Sequence, residues 1–328
     1  MRAVRGTQKQ KAETVNRISS WLPATIDART RVIAWTYLVA QILLVGTGGL
    51  VRLTSSGLGC PTWPSCTAES LVNTPEMGIH GVIEFGNRLL GVALGLLAIV
   101  AFLAVVRLRR ERPDLFRLTL LAGLGIPAQA VIGGISVLTQ LNPYVVGIHF
   151  VISVLLVALC TAFVYRVITG NGPRSVAVPR RVLITAHVTS LVVLVTIVVG
   201  ILTTGSGPHA GDADAPRNGL DSELLQHIHS WPAYLTFALT VTLLAFAFGA
   251  RVPMRRWVLL LLGVELLQIA GGLAQANLGL PPFLVGIHMV LACVLAASMT
   301  AVILHLKQPE SVTAVPADPI GSGASAHS

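Results

Sequence analysis

The feature that most constrains the fold is a series of eight apolar stretches separated by short polar segments. A helix needs roughly 20 apolar residues to cross the hydrocarbon core of a membrane. Because 53% of the 328 residues are hydrophobic and only 11% are charged, one soluble core could not bury them. We therefore predict an all-α, polytopic membrane protein that has the lipid bilayer as its solvent. The predicted spans are Val32–Val51, Ile79–Val106, Leu118–Leu138, Tyr144–Val167, Val182–Thr203, Glu223–Gly249, Trp257–Ala276 and Phe283–Leu306.

The positions of the basic residues predict the orientation. Lys and Arg concentrate in the N-terminal tail, in every second connection between spans, and after the last span. The remaining connections are mainly acidic, with Arg52 and Arg217 as their basic residues. Since cytoplasmic loops collect Lys and Arg, we expect both termini in the cytoplasm and the protein in the cell membrane. The net charge of +9 then needs no nucleic acid as a partner.

The chain contains an internal repeat. Aligned without a gap, the third and fourth spans match the seventh and eighth, and both copies end their hairpin with the sequence VGIH. The second and sixth spans match more faintly, since Glu84 and Asn87 have the same separation as Gln226 and His229. Identical positions of the stronger match include Gln129 and Gln268, Gly133 and Gly272, Pro143 and Pro282, and Val146–His149 and Val285–His288.

The repeat predicts two four-helix bundles. An even number of spans in each copy gives both the same orientation, so a pseudo-two-fold axis along the membrane normal should relate them. The predicted division is a cytoplasmic tail at 1–31, an N-terminal bundle at 32–167, a cytoplasmic linker at 168–181, a C-terminal bundle at 182–306 and a disordered cytoplasmic tail at 307–328.

Three histidines lie at a similar depth near the outer ends of their spans: His149, His229 and His288. Ionisable groups inside lipid are costly, so each is a functional candidate, although a hydrogen-bonded packing role is the alternative. Facing helices of a bundle can grip a cofactor, and two imidazoles can ligate one haem iron. We therefore predict that His229 and His288 are such a pair. His227 lies on a different face of its helix from His229 and competes with it for this role.

The second span carries a carboxylate within an apolar stretch. Glu84 precedes Arg88 by one helical turn, so the two could form a structural ion pair. Glu84 could also accept protons or stabilise charge beside a substrate pocket. His80 and Asn87 share its helix face and could border the same pocket. Glu265 on the seventh span has no counterpart in the third, and we predict a structural role for it.

Two cysteines, Cys60 and Cys66, lie in the first outer loop. An oxidising, outward-facing location permits a disulfide between them. The bond could staple the loop or exchange with other thiols, and the sequence leaves both roles open.

These motifs together resemble one family, the haem A synthases. The resemblance rests on GGLVRLTSSGLGCPTWPSC at Gly48–Cys66, on Glu84 with Arg88, on both VGIH motifs and on His229, and it covers Val32 to Leu306. It implies the oxidation of a methyl group of haem O to the formyl group of haem A, a step in terminal oxidase biogenesis.

The resemblance also implies roles for individual residues. His229 and His288 would hold a haem b in the C-terminal half, and His149 would ligate the substrate haem O in the N-terminal half. Glu84 would act in the oxidation, and Cys60 with Cys66 would be the outer-loop pair. Many members carry histidine where this chain has Asn87, which is a poor haem ligand. The second axial position of the substrate haem would then be open, water-filled or reached by His80.

Two other classes fit part of the pattern. A quinone-linked di-haem electron-transfer cytochrome would use the same histidines but would want two symmetric ligand pairs. A secondary transporter would share the repeat, but its sites usually lie at mid-membrane on broken helices. For the synthase, the expected partners are haem O and the bilayer, with a haem O synthase, an unidentified electron acceptor and a second copy of the chain as further candidates.

Overall fold

The structure, a computed structural model, describes residues 22–309. Its described part contains eight helices that are long and apolar enough to cross a membrane, which confirms the predicted all-α membrane fold. Each lies within a few residues of its predicted span, and short connections at 139–142 and 278–281 join the third helix to the fourth and the seventh to the eighth. The helices are α1 (Ala28–Leu53), α2 (Gly78–Val106), α3 (Pro113–Leu138), α4 (Pro143–Thr169), α5 (Arg180–Ser206), α6 (Ser222–Gly249), α7 (Arg255–Asn277) and α8 (Pro282–Leu304).

The helix starts follow from local sequence. Asp27 caps α1 by accepting a hydrogen bond from the Thr30 backbone N–H at 2.9 Å, and that bond lowers the pKa of the Asp27 carboxyl. Asp221 caps α6 in the same way. Proline occupies the first position of α3, α4 and α8, where its missing N–H costs nothing. These signals explain why the predicted bounds lie close to the observed ones.

The helices contact one another in two closed sets. Helices α1 to α4 each contact their neighbours in the order α1–α2–α3–α4–α1, and α5 to α8 do so in the order α5–α6–α7–α8–α5. The two sets meet where α8 packs against α1 and α4, and where α4 packs against α5. The pseudo-two-fold relation and the domain boundaries stay predictions, although this contact order is the one that two four-helix bundles would have.

The two ends of the molecule differ. One end, named here the loop end, carries residues 54–77, 139–142, 207–221 and 278–281; the opposite end is named the basic end. Fully buried large side chains belong to the half nearer the basic end, among them Leu115, Phe163, Leu243 and Leu261. The helix segments nearest the loop end are less tightly packed, and the three candidate histidines lie there.

A small sheet at the basic end was not predicted. Strand β1 (Arg174–Val176) pairs antiparallel with strand β2 (Lys307–Pro309), so the linker and the segment after α8 are joined. Lys307–Pro309 was predicted to begin a disordered tail, and that prediction is wrong for these three residues because their backbone is paired with β1. The remaining tail prediction, at 310–328, and the N-terminal tail before residue 22 lie outside the described residues.

Candidate functional site

In the second helix set, α6 and α8 bring His229 and His288 together near the loop end. The two ring centroids are 6.4 Å apart and the ring planes are inclined by 79°. A Cβ added at Gly200 on α5 would lie 2.8 Å from Cε1 of His229, and one at Gly272 on α7 would lie 3.5 Å from Cε1 of His288. The glycines therefore leave room for the two imidazoles.

The amide of Gln268 on α7 holds the His288 ring. With its nitrogen toward the ring, the amide donates to His288 Nδ1 at 2.8 Å and accepts from the Ala292 backbone N–H at 3.0 Å. With its oxygen toward the ring, it would accept a proton carried by Nδ1. Either contact fixes the ring orientation, which is the usual task of a group behind a metal-binding histidine.

In the first helix set, His149 on α4 occupies the position that matches His288. A Cβ added at Gly133 would lie 3.3 Å from Cε1 of His149, close to the value for Gly272 and His288. Gln129, which matches Gln268, donates instead to the His149 carbonyl oxygen at 2.9 Å and to Ser153 Oγ at 2.5 Å. The buried Nδ1 of His149 is therefore left without a hydrogen-bond partner. The Gln129 amide thus contacts Ser153, whereas the matching amide of Gln268 contacts the ring of His288.

Asn87 on α2 occupies the position that matches His229. Its Oδ1 accepts a hydrogen bond from Thr47 Oγ1 on α1 at 2.7 Å. A Cβ added at Gly48 would lie 3.9 Å from Asn87 Nδ2, just as Gly200 lies against His229. The two sites therefore share one framework but differ in chemistry, with one imidazole in the first set and two in the second.

Glu84 is buried and both of its carboxylate oxygens are engaged. Oε2 accepts from the Cys60 backbone N–H at 2.6 Å, and Oε1 accepts from Arg88 at 2.5 Å. Arg88 also donates to the carbonyl oxygens of Cys60 and Thr62, each at 3.1 Å. The predicted ion pair is present, and it fastens the first loop to α2. The sequence did not indicate the loop carbonyls as partners.

The fastened loop contains a disulfide between Cys60 and Cys66, as predicted. It also carries Trp63, whose indole packs so closely on α3 that Gly134 has no room for a Cβ. Sequence reasoning missed Trp63, although a tryptophan in a short loop facing a Gly-Gly pair was an available signal. The loop thus lies against α3 next to Gly133, the residue that makes room for His149.

The remaining candidate residues lie elsewhere. His80 is exposed, and its Nδ1 is 2.9 Å from Ser56 Oγ in the first loop, so its role at the pocket stays a prediction. His227 is exposed on α6, whereas His229 pairs with His288, which favours His229 of the two. Glu265 on α7 is buried and accepts a hydrogen bond from Thr240 Oγ1 at 2.7 Å.

The fold and these sites define a polytopic helical membrane protein with partly buried histidines near one end of its helices. A family model, COX15-CtaA, described as cytochrome oxidase assembly protein, matches residues 31–300. The chain therefore belongs to that family.

Individual relatives agree with this assignment. A protein named heme A synthase from Geobacillus thermodenitrificans is 30% identical over 153 residues, covering 46% of this chain and 47% of the relative. One of the same name from Geobacillus kaustophilus is 29% identical over 160 residues, covering 48% and 50%. A third, from Bacillus cereus, is 24% identical over 209 residues, covering 61% and 66%. The chain thus spans about half the length of the first two relatives, and the predicted family resemblance is confirmed.

Proposed function

We propose that this protein is a haem A synthase, an oxidoreductase that converts the methyl group of haem O to the formyl group of haem A. The observation that carries the proposal is the inequality of the two halves: two neighbouring imidazoles lie in the C-terminal half, whereas in the N-terminal half Asn87, hydrogen-bonded to Thr47, takes the position that matches His229. An electron carrier that leaves its haems unchanged would want two equal ligand pairs. The relatives named heme A synthase support the same activity.

The C-terminal half fits a resident haem b. Metal–nitrogen bonds are about 2 Å long, so two of them account for much of the 6.4 Å between the ring centroids. The described residues hold no group of three or more His, Cys, Asp or Glu that could bind a bare metal ion. A porphyrin would supply the remaining ligands to iron, and the bound haem would supply one-electron chemistry. His229 and His288 would hold it, with the Gln268 amide in contact with His288 Nδ1.

The N-terminal half fits a haem that is bound for a short time. His149 would ligate the substrate haem O through one ring nitrogen, because Asn87 opposite it is a poor ligand and is hydrogen-bonded to Thr47. No side chain within the described residues holds His149 Nδ1. A site with one protein ligand and an unrestrained ring releases its haem more readily than a site with two ligands. This difference suits a substrate in one half and a cofactor in the other.

Glu84 would act beside the substrate in two ways. Its carboxylate would stabilise positive charge or accept protons as the methyl group is oxidised. Through Cys60 it also holds the disulfide loop that carries Trp63 across α3. Arg88 would keep the carboxylate oriented, and the loop would limit the access of water to the pocket.

The topology supports a cell-membrane location with the basic end in the cytoplasm. Within residues 22–309, arginines cluster in the connections of the basic end, while Glu69, Glu76, Asp212 and Asp214 lie at the loop end. Both termini would then be cytoplasmic, and both haem sites would lie toward the outer face. A haem O synthase would deliver the substrate, and an electron acceptor and a second copy of the chain are further candidate partners.

The direct test is extraction and mass analysis of haems from cells that express the protein with and without a haem O supply. The proposal predicts formyl-bearing haem A, or its hydroxylated precursor, only when haem O is supplied. Unmodified haem b alone under both conditions would contradict the synthase activity and would favour a haem-bearing electron carrier.

A further inference from the structure

Glu265 is a buried carboxyl group that the proposed reaction does not use. Its residue is 4% exposed, and Oε1 accepts a hydrogen bond from Thr240 Oγ1 at 2.7 Å. Oε2 has no partner within the described residues. A buried polar atom left unpaired is costly, so such a group usually has a function or a bound water.

Threonines extend from this carboxyl toward the histidine pair. Thr236 lies one helical turn before Thr240 on α6, and its hydroxyl is 3.2 Å from that of Thr196 on α5. On α7, Gln268 lies about 4.5 Å along the axis from Glu265, on the side of the loop end, and contacts His288 Nδ1. Polar groups therefore lie between Glu265 and the histidine pair on three helices.

Apart from Gln129, which matches Gln268, the N-terminal half has no such polar groups at the matching positions. One matched pair sets the register of each helix: Gly48 with Gly200, Asn87 with His229, and His149 with His288. In that register, apolar residues take the places of the three threonines and of Glu265. Those apolar residues are Leu44, Leu94, Ala98 and Ile126 in place of Thr196, Thr236, Thr240 and Glu265. The threonines and Glu265 are therefore specific to the half that would keep its haem, and the duplicated helices do not require them.

The surroundings of Glu265 provide no neutralising cation. Between their ends, α5, α6 and α8 carry as titratable residues only histidines, one tyrosine and one cysteine: His187, His227, His229, Tyr234, His288 and Cys293. His187 and His227 are exposed, and His229 and His288 form the candidate ligand pair. In the described structure Glu265 makes no ion pair, so the charge of its carboxylate is balanced only by hydrogen bonds. An electron added to a nearby haem iron would make the protonated form of Glu265 more favourable.

We propose that Glu265 is a redox-linked proton-binding site of the C-terminal half. The proposal rests on the proposed function, because it needs a haem between His229 and His288. The Glu265 carboxylate would take up one proton from hydronium in the solvent and form an O–H bond as a haem held by His229 and His288 gains one electron. Glu265 would return that proton to the solvent when the electron passes to the acceptor. The electron and the proton thereby move together, and no net charge accumulates in the apolar bundle.

The test is the midpoint potential of the C-terminal haem in the purified holoprotein, measured by titration with dissolved redox mediators. The potential is measured from about pH 5 to about pH 9, the range in which buried carboxyl groups can titrate. The parent should show a potential that falls as pH rises, with a slope approaching about 59 mV per pH unit for one proton per electron. Glu265→Gln should retain the haem spectrum and lose this slope. The matched control Glu223→Gln removes an exposed carboxyl at the start of α6 and should keep it.

A second measurement covers the case in which Glu265→Gln does not fold. The reduced-minus-oxidised infrared spectrum of the parent should contain a carboxylic acid C=O band that appears on reduction and shifts in deuterium oxide. The same band should be present in Glu223→Gln and absent from any folded Glu265 variant. A pH-independent potential in the parent, or equal slopes in the parent and Glu265→Gln, would overturn the proposal. A protein without haem at His288 would instead overturn the proposed function.

Discussion

The two halves of the molecule build the same hairpin and use it differently. His149 and His288 lie beside Gly133 and Gly272. A Cβ added at each glycine would lie at nearly the same distance from Cε1 of the neighbouring ring. His229 lies beside His288 in one half, and Asn87 takes the matching position in the other. The duplicated framework therefore fixes where a haem would lie, while the residue opposite the shared histidine decides how firmly it would be held.

A second difference lies behind the shared histidine. Ser153 binds the amide of Gln129 and keeps it from the His149 ring. The matching residue in the other half, Ala292, has no hydroxyl, and there the Gln268 amide contacts the ring of His288. A single hydroxyl thus separates a restrained imidazole from an unrestrained one. Such differences suit a substrate that must leave and a cofactor that must stay.

The largest effect is expected from the ligand pair itself. His229→Ala should abolish the b-type haem spectrum, because one of two axial ligands is lost, while His227→Ala two residues away should retain it. Visible spectra of the two purified proteins at equal concentration make the comparison. Equal haem content in both variants would break the assignment of His229.

The next effect concerns the chemistry of the N-terminal half alone. Glu84→Ala should lower haem A formation by about 10²- to 10⁴-fold, the range for loss of a general acid–base group, and should leave the haem b spectrum unchanged. Haem extraction from expressing cells measures both quantities. Glu76→Ala, at an exposed carboxyl in the same outer region, is the control, and undiminished haem A production by Glu84→Ala would remove Glu84 from the reaction.

The two matched glutamines should respond unequally. Gln268→Leu removes the group that holds His288 Nδ1 and should weaken haem b retention by about 10- to 100-fold. Gln129→Leu should alter haem binding at His149 much less, because the Gln129 amide contacts a backbone carbonyl and Ser153 instead of the ring. Competition of the purified proteins with apomyoglobin measures haem retention, and equal losses would show that the two sites are restrained alike.

The smallest effect is expected from Ser153→Ala. Removing the hydroxyl frees Gln129 to turn toward His149 Nδ1, as Gln268 does toward His288. One neutral hydrogen bond contributes about 0.5–1.5 kcal/mol, so substrate haem should bind a few-fold more tightly and product should leave more slowly. Equilibrium titration with haem O measures the affinity. Weaker binding than in the parent would show that Ser153 supports the site directly.

The sequence predicted the helices and the pairing of His229 with His288 because both follow from simple periodic and duplicated patterns. Apolar length defines the spans, and proline and capping residues lie close to their ends. The shared VGIH motif was enough to place His149 and His288 at equivalent positions. Because His227 and His229 lie on different helix faces, only one of them could face the pair.

Other features depended on contacts that no local pattern encodes. The carbonyl oxygens that Arg88 binds belong to a loop whose path is set by its disulfide and by Trp63 against Gly134. Strands β1 and β2 have three residues each, too few for a periodic signal. Gln129 contacts Ser153, one helical turn after His149, and the matching residue in the other half is Ala292. Glu265 was predicted to be structural, and no local pattern indicates that one of its carboxylate oxygens lacks a partner within the described residues.

The most direct test of the unequal halves is haem analysis of three purified proteins: the parent, His149→Ala and His288→Ala. The parent should contain haem b and should produce haem A from haem O. His149→Ala should keep haem b and produce no haem A, whereas His288→Ala should lose haem b. The opposite result, with haem b lost in His149→Ala and kept in His288→Ala, would contradict the division of the molecule into a substrate half and a cofactor half.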